Sequence, residues 1–111
     1  MGISTHILDT SRGRPAEGVI VTLTKRGADG AHVLVHAGVT DADGRAKGLV
    51  DGAPAAGEYA LHFAVGAYFA QRNQPCFYPE VEVRFVVTAE SEHYHVPLLL
   101  NPFGYSTYRG S

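Results

Sequence analysis

Val81-Glu82-Val83-Arg84-Phe85-Val86-Val87 decides the fold. Val81, Val83, Phe85 and Val87 alternate with Glu82, Arg84 and Val86. A period of two sets one side of an extended chain against a core and turns the other outward. The same rhythm recurs in both directions along the sequence. Ile3, Thr5 and Ile7 alternate with Ser4, His6 and Leu8, and Val19, Val21 and Leu23 with Ile20, Thr22 and Thr24. Val33, Val35, Ala37 and Val39 alternate with His32, Leu34, His36 and Gly38, and Tyr59, Leu61 and Phe63 with Glu58, Ala60 and His62. His93 to Leu100 reads as a further strand, and Tyr105 to Tyr108 as a short last one.

The breaks carry turn chemistry. Arg12-Gly13-Arg14-Pro15 ends the first strand, and Ala28-Asp29-Gly30 and Asp41-Ala42-Asp43-Gly44 form tight turns. Asp51 to Gly57 makes a longer loop. Only Val65 to Arg72 reads as a helix, and Asn73-Gln74-Pro75 stops it because proline cannot continue one. Short strands separated by frequent turns predict an all-β sandwich. Pro97 lacks a ladder donor, so its nitrogen is expected to face away from a partner or to sit at a bulge.

The 111 residues suit one domain spanning 1–111, long enough to build a core without disulfides. A hydrophobic fraction of 45% and a charged fraction of 18% are those of a globular protein. The net charge of −2 argues against a general nucleic-acid binder. No apolar run approaches the roughly 18 residues of a membrane span. Met1 to His6 shows no basic region followed by an apolar stretch, so no signal peptide is expected. Cys76 is the single cysteine, which excludes an internal disulfide or a thiolate metal cluster within one chain. A cytoplasmic protein is the simplest expectation, with Cys76 packed as a small hydrophobe.

Six histidines offer the main chemistry. His32, His36 and His62 alternate with expected core positions and read as surface groups. His93 and His95 share a face with Pro97 and Leu99, and His6 shares one with Ser4 and Leu8. A histidine pair suits either zinc or a general base with an orienting partner. Arg45, after Asp43-Gly44, reads as a loop charge or as an anion clamp. Asp41-x-Asp43-Gly44 fails the calcium-loop pattern, since Gly falls too early and no Glu closes it. Tyr108-Arg109-Gly110-Ser111 ends the sequence with groups that line sites, and it reads as folding inward to supply part of one, with an ordinary solvated tail as the alternative.

Ser4-Thr5-His6-Ile7-Leu8-Asp9-Thr10, Asp43-Gly44-Arg45, Phe77-Tyr78-Pro79-Glu80-Val81 and above all the block His93 to Ser111 resemble the 5-hydroxyisourate hydrolases. These form the transthyretin-related family of purine catabolism, and the resemblance covers essentially the whole chain. It implies a transthyretin-like (prealbumin-like) β-sandwich of two four-stranded sheets with one short helix, a further strand lying near Ala46 to Val50. It implies a homotetramer, a dimer of dimers, with sites in the groove between dimers. The implied reaction opens the six-membered ring of 5-hydroxyisourate to give 2-oxo-4-hydroxy-4-carboxy-5-ureidoimidazoline. It uses no cofactor and no metal, and the small-molecule substrate is the only other partner.

By resemblance, His6, His95, Arg45 and Ser111 are catalytic, and Arg45, Tyr108, Arg109, Gly110 and Ser111 bind substrate. On the residue chemistry, His6 and His95 position and deprotonate water, Arg45 holds substrate oxygens, and Gly110 allows close backbone approach. The rival reading is a transthyretin-like carrier of small aromatic ligands in an intersubunit channel, since fold does not fix function.

Overall fold

Nine strands and one helix form among the described residues, 2–88 and 92–111, of the computed structural model. In chain order they are β1 (Gly2–Asp9), β2 (Arg14–Pro15), β3 (Ile20–Arg26), β4 (His32–Val39), β5 (Arg45–Asp51), β6 (Gly57–Phe63), α1 (Val65–Ala70), β7 (Val81–Val87), β8 (Tyr94–Asn101) and β9 (Gly104–Thr107). One sheet has the order β4-β3-β6-β7 and is antiparallel throughout. The other has β1 and β8 at its centre, β9 beyond β8, and β5 along the far side of β1. The two-residue β2 extends that same side of β1, adding a stub to the expected four strands.

β1 and β8 form the one parallel pair among the described strands, and this pair builds the site. Ile3 to Asp9 lie beside Tyr94 to Leu100 in unbroken register. The inward side chains Ile3, Ile7, Leu98 and Leu100 meet Val21, Leu23, Leu61 and Phe63 of the opposing sheet. Each such fully buried aliphatic or aromatic side chain stabilises the fold by about 1.5–3 kcal/mol. Ser4, His6 and Leu8 consequently stand on the outer face, together with His95, Pro97 and Leu99.

α1 is anchored to β1 by a polar contact. The Tyr68 hydroxyl donates to the buried Asp9 carboxylate at 2.7 Å, and Ser11 N–H donates to the same carboxylate at 3.0 Å. Burial, reinforced by the Asp9 bond, raises the Tyr68 pKa, so the phenol keeps its proton. The helix ends at Ala70, two residues before the expected Arg72, and the turn at 71–73 closes with Asn73 at φ 55°, a left-handed position that Asn tolerates. Cys76 is half-buried and packs against the core.

The strand β4 departs from the expectation. Val33, Val35 and Val39 were read as core positions, yet they are 61%, 42% and 58% exposed. β4 is the outermost strand of its sheet and bonds only to β3, and apolar side chains of both parities, Leu34 as well as the valines, stay open along it. A register shift between Leu23 and Thr24 also breaks the alternation across that pair. Of the three histidines read as surface groups, His36 is exposed and His62 bonds Glu80 at 2.7 Å. His32 is half-buried against Thr24.

No helix among the described residues is long and apolar enough to cross a membrane.

Candidate active site

Register places three of the sequence-predicted residues on one outer face. His6 on β1 lies opposite Arg45 on β5 and opposite Pro97 on β8. His95, two residues before Pro97, lies opposite Ser4. Residues directly opposite on neighbouring strands share a face. His6, Arg45 and His95 therefore rise from three adjacent strands into one patch. Neither the His6 ring nor the Arg45 guanidinium has a hydrogen-bond or ion-pair partner among the described residues.

The turn before β5 aims Arg45. Asp41 Oδ1 accepts the Asp43 and Arg45 N–H groups at 2.9 and 3.1 Å, closing an Asx turn. Gly44 sits at φ 76°, and its carbonyl takes the Ile7 N–H at 2.8 Å. A Cβ at Gly44 would stand 2.4 Å from the Ile7 carbonyl oxygen, so only glycine lets this turn lie against β1. The Asp-x-Asp-Gly segment is thus a turn that fixes an arginine.

His95 is the most constrained group. Its Nδ1 lies 2.8 Å from Ser4 Oγ, and the same oxygen lies 2.8 Å from His93 Nε2. Burial lowers the His95 pKa, Arg45 and then the neighbouring imidazoles of His6 and His93 push it further in the same direction, and a hydrogen bond to the Ser4 backbone opposes them in part. The imidazole is therefore neutral near pH 7, the state in which it accepts a proton.

The closing segment turns onto this histidine. Gly110 N–H donates to the His95 carbonyl at 2.8 Å, forming an isolated bridge beyond β9. A Cβ on Gly110 would lie 2.6 Å from His95 Cδ2 and 3.2 Å from Pro97 Cγ. Bare backbone thus covers the ring edge next to Nε2.

Pro97 explains the shape of the segment. Regular pairing runs from Asn101↔Gly104 to Leu98↔Thr107 and reappears only at His95↔Gly110. Between them the ladder needs a donor from residue 97, and proline has none. The Thr107 hydroxyl donates to the Pro97 carbonyl instead, at 2.7 Å, and the chain leaves the sheet over Tyr108 and Arg109.

Tyr108 and Arg109 share a cavity with His95 but bond none of the histidines among the described residues. Tyr108 is 58% exposed. The Arg109 guanidinium lies over the Tyr94 ring at 4.6 Å and bonds Glu92 at 2.9 Å, beside the open edge of the sandwich. Both residues line a cavity of about 350 Å³ with Phe85 and Val86 of β7 and with His95. Ser111 is exposed and follows Gly110 directly. Among the described residues no three His, Cys, Asp or Glu side chains converge as a set of metal ligands.

A profile of the HIUase/Transthyretin family matches residues 3–110. The chain belongs to that family. It is 46% identical over 110 residues to a 5-hydroxyisourate hydrolase of Salmonella dublin, an alignment covering 98% of this chain and 80% of the relative. The structure of Klebsiella pneumoniae 5-hydroxyisourate hydrolase matches with a TM-score of 0.87 at 39% identity, over 99% of this chain and 93% of that one. Sea bream transthyretin in complex with thyroxine matches with a TM-score of 0.90 at 33% identity, over 97% of this chain and 93% of that one. The transthyretin-like fold is thus common to enzyme and binding protein, and the site must separate them.

Two residues at this site carried no assigned role in the sequence reading: Ser4 and His93. Their signal was present. Ser4 shares the His6 face and His93 the His95 face by alternation alone. What alternation lacked was the parallel register that sets Ser4 beside His95.

Proposed function

We propose that this chain hydrolyses 5-hydroxyisourate, opening its six-membered ring to 2-oxo-4-hydroxy-4-carboxy-5-ureidoimidazoline as a cyclic amide hydrolase. The observation that carries this reading is the convergence of His6, Arg45 and a neutral His95 on one face. A flat, polar, largely anionic heterocycle matches such a patch, whereas a carrier pocket for apolar aromatic ligands needs neither a free guanidinium nor a base. The hydrolase relatives support the same choice.

In this mechanism His95 Nε2 takes a proton from water as the water oxygen bonds the ring carbonyl carbon. Arg45 stabilises the charge that develops on the carbonyl oxygen, because a planar, permanently charged fork suits an oxyanion. Collapse breaks the carbon–nitrogen bond, and the proton held at His95 passes to the leaving nitrogen. His6, next to Arg45, orients the water or the substrate. Gly110 fixes the His95 ring, and Ser111 and Tyr108 complete the wall. A general base supplies roughly 10²–10⁴ of the rate, and positioning supplies much of the rest.

The assembly in this reading is a homotetramer, a dimer of dimers, acting in the cytoplasm. Phe77, Phe103, Val86 and Leu34 support association, since they are 62–68% exposed and large apolar groups of this kind mark contact surfaces. Sedimentation velocity checks the tetramer. The activity is tested by generating 5-hydroxyisourate with urate oxidase and following its decay with and without the protein. Accelerated decay is expected. Unchanged decay together with saturable thyroxine binding would establish the carrier reading instead.

A further inference from the structure

Ser4 Oγ stands between two imidazoles, 2.8 Å from His95 Nδ1 and 2.8 Å from His93 Nε2. A serine hydroxyl has one proton to donate and two lone pairs. It can donate to one ring only, so a proton that arrives from one side is passed on to the other. If His95 offers Nε2 as a base, its Nδ1 carries the proton and donates to Ser4. Ser4 then donates to His93 Nε2, and His93 keeps its own proton on Nδ1. All three groups are linked in one direction.

We infer that His93, Ser4 and His95 form a reversible proton relay that lets His95 act as a base without becoming an imidazolium. The inference rests on the hydrolase reading above and names two positioning residues for it. As Nε2 takes a proton from the attacking water, Nδ1–H passes to Ser4 Oγ and the Ser4 proton passes to His93 Nε2. His95 ends neutral, as its other tautomer, and the positive charge resides on His93. When the ring carbon–nitrogen bond breaks, Nε2 gives its proton to the leaving nitrogen. The relay then runs backward and every group regains its starting proton. The water oxygen and its second proton leave as the product carboxyl, which ionises in water at neutral pH.

The geometry explains why such a relay matters here. A charge on His95 would be half-buried and would face Arg45 from β5, His6 from β1 and His93 just before its own strand. The nearest guanidinium of the closing segment, Arg109, is taken up by Glu92 and Tyr94. His93 is exposed, so water solvates the charge that it receives.

The test uses the full chain and the variants Ser4→Ala, Ser4→Thr and His93→Gln, each checked for fold by circular dichroism. Ser4→Ala and His93→Gln should each lower kcat about tenfold, a part of the general-base contribution, with KM little changed. Ser4→Thr keeps the hydroxyl and should keep most of the rate. Added imidazole should restore rate to His93→Gln, because a free base reaches the exposed end of the relay, and should leave the wild type unaffected. Nitrogen-15 spectra above the histidine titration range should show the Nδ1–H tautomer at both His93 and His95. Wild-type kcat in His93→Gln, equal losses in Ser4→Ala and Ser4→Thr, or an Nε2–H tautomer at resting His95 would each overturn the relay while leaving the hydrolase reading in place. A wild-type protein inert toward 5-hydroxyisourate would overturn both.

Discussion

Gly110→Ala isolates the contribution of the closing segment. The added Cβ would meet His95 Cδ2 at 2.6 Å, His95 Cγ at 3.3 Å and Pro97 Cγ at 3.2 Å. Relaxed carbon contacts lie near 3.5–4.0 Å, so something must give by about 1 Å. Pro97 is a buried, rigid ring, and the His95 imidazole is tethered through Nδ1 to Ser4. The weakest element is the segment itself, held at this point by the Gly110 N–H bond to the His95 carbonyl.

That bond is worth about 0.5–1.5 kcal/mol net, which limits the stability lost when the segment lifts. The melting temperature should therefore fall by only a few degrees, about 4 °C for each kcal/mol in a domain of this size. Activity should fall far more, because a displacement of about 1 Å at a catalytic group lowers rate by roughly 10²-fold. Thermal melts and steady-state decay of 5-hydroxyisourate measure the two effects on the same preparation. Wild-type kcat/KM in a folded Gly110→Ala protein would refute the claim that this backbone contact aligns His95.

Three further outcomes are expected. His6→Asn and His95→Asn should each lower turnover by about 10²–10⁴ with an unchanged circular dichroism spectrum; a rate near wild type in either removes that residue from the chemistry. Activity should decline as pH drops and His95 takes up a proton, with an acid limb below the ordinary histidine value of about 6.5, because burial and then Arg45 disfavour the charged ring. Arg45→Gln removes a repelling charge, raises the His95 pKa and should move that limb to higher pH, as a pH–rate profile of the variant would show. Tyr68→Phe withdraws a hydroxyl from the buried Asp9 carboxylate and should destabilise by about 1–3 kcal/mol in a denaturant titration, with kcat untouched because Tyr68 lies on the opposite side of β1 from the histidines.

The strands were legible because alternation is a local property, and in Ile3 to Leu8 or Val19 to Thr24 the pattern and the burial agree. β4 shows where that reading stops. Alternating valines report that two faces differ, but not whether anything lies across from either face. Cover depends on strand order, which is settled by pairing between distant segments.

The site followed the same division. His6 and His95 stood out by residue type and parity, and Arg45 by its turn. Ser4 became meaningful only through the β1–β8 register. Arg109 was read with the site and shares the His95 cavity, while its guanidinium lies on Tyr94 and Glu92. The interruption at Pro97 carries the chain out of the sheet at that point, and its consequence for the next side chains is not written in their spacing.

The parallel pairing of β1 with β8 joins residues 91 positions apart, as in the Ser4–His95 contact. Almost the entire polypeptide must be correctly threaded before the two histidines meet. No hairpin or local cluster can assemble the chemistry early, and so long a closure belongs with slow, non-local folding. Recovery of catalysis after dilution from denaturant should consequently be the last signal to return, later than secondary structure, making turnover a gauge of complete threading.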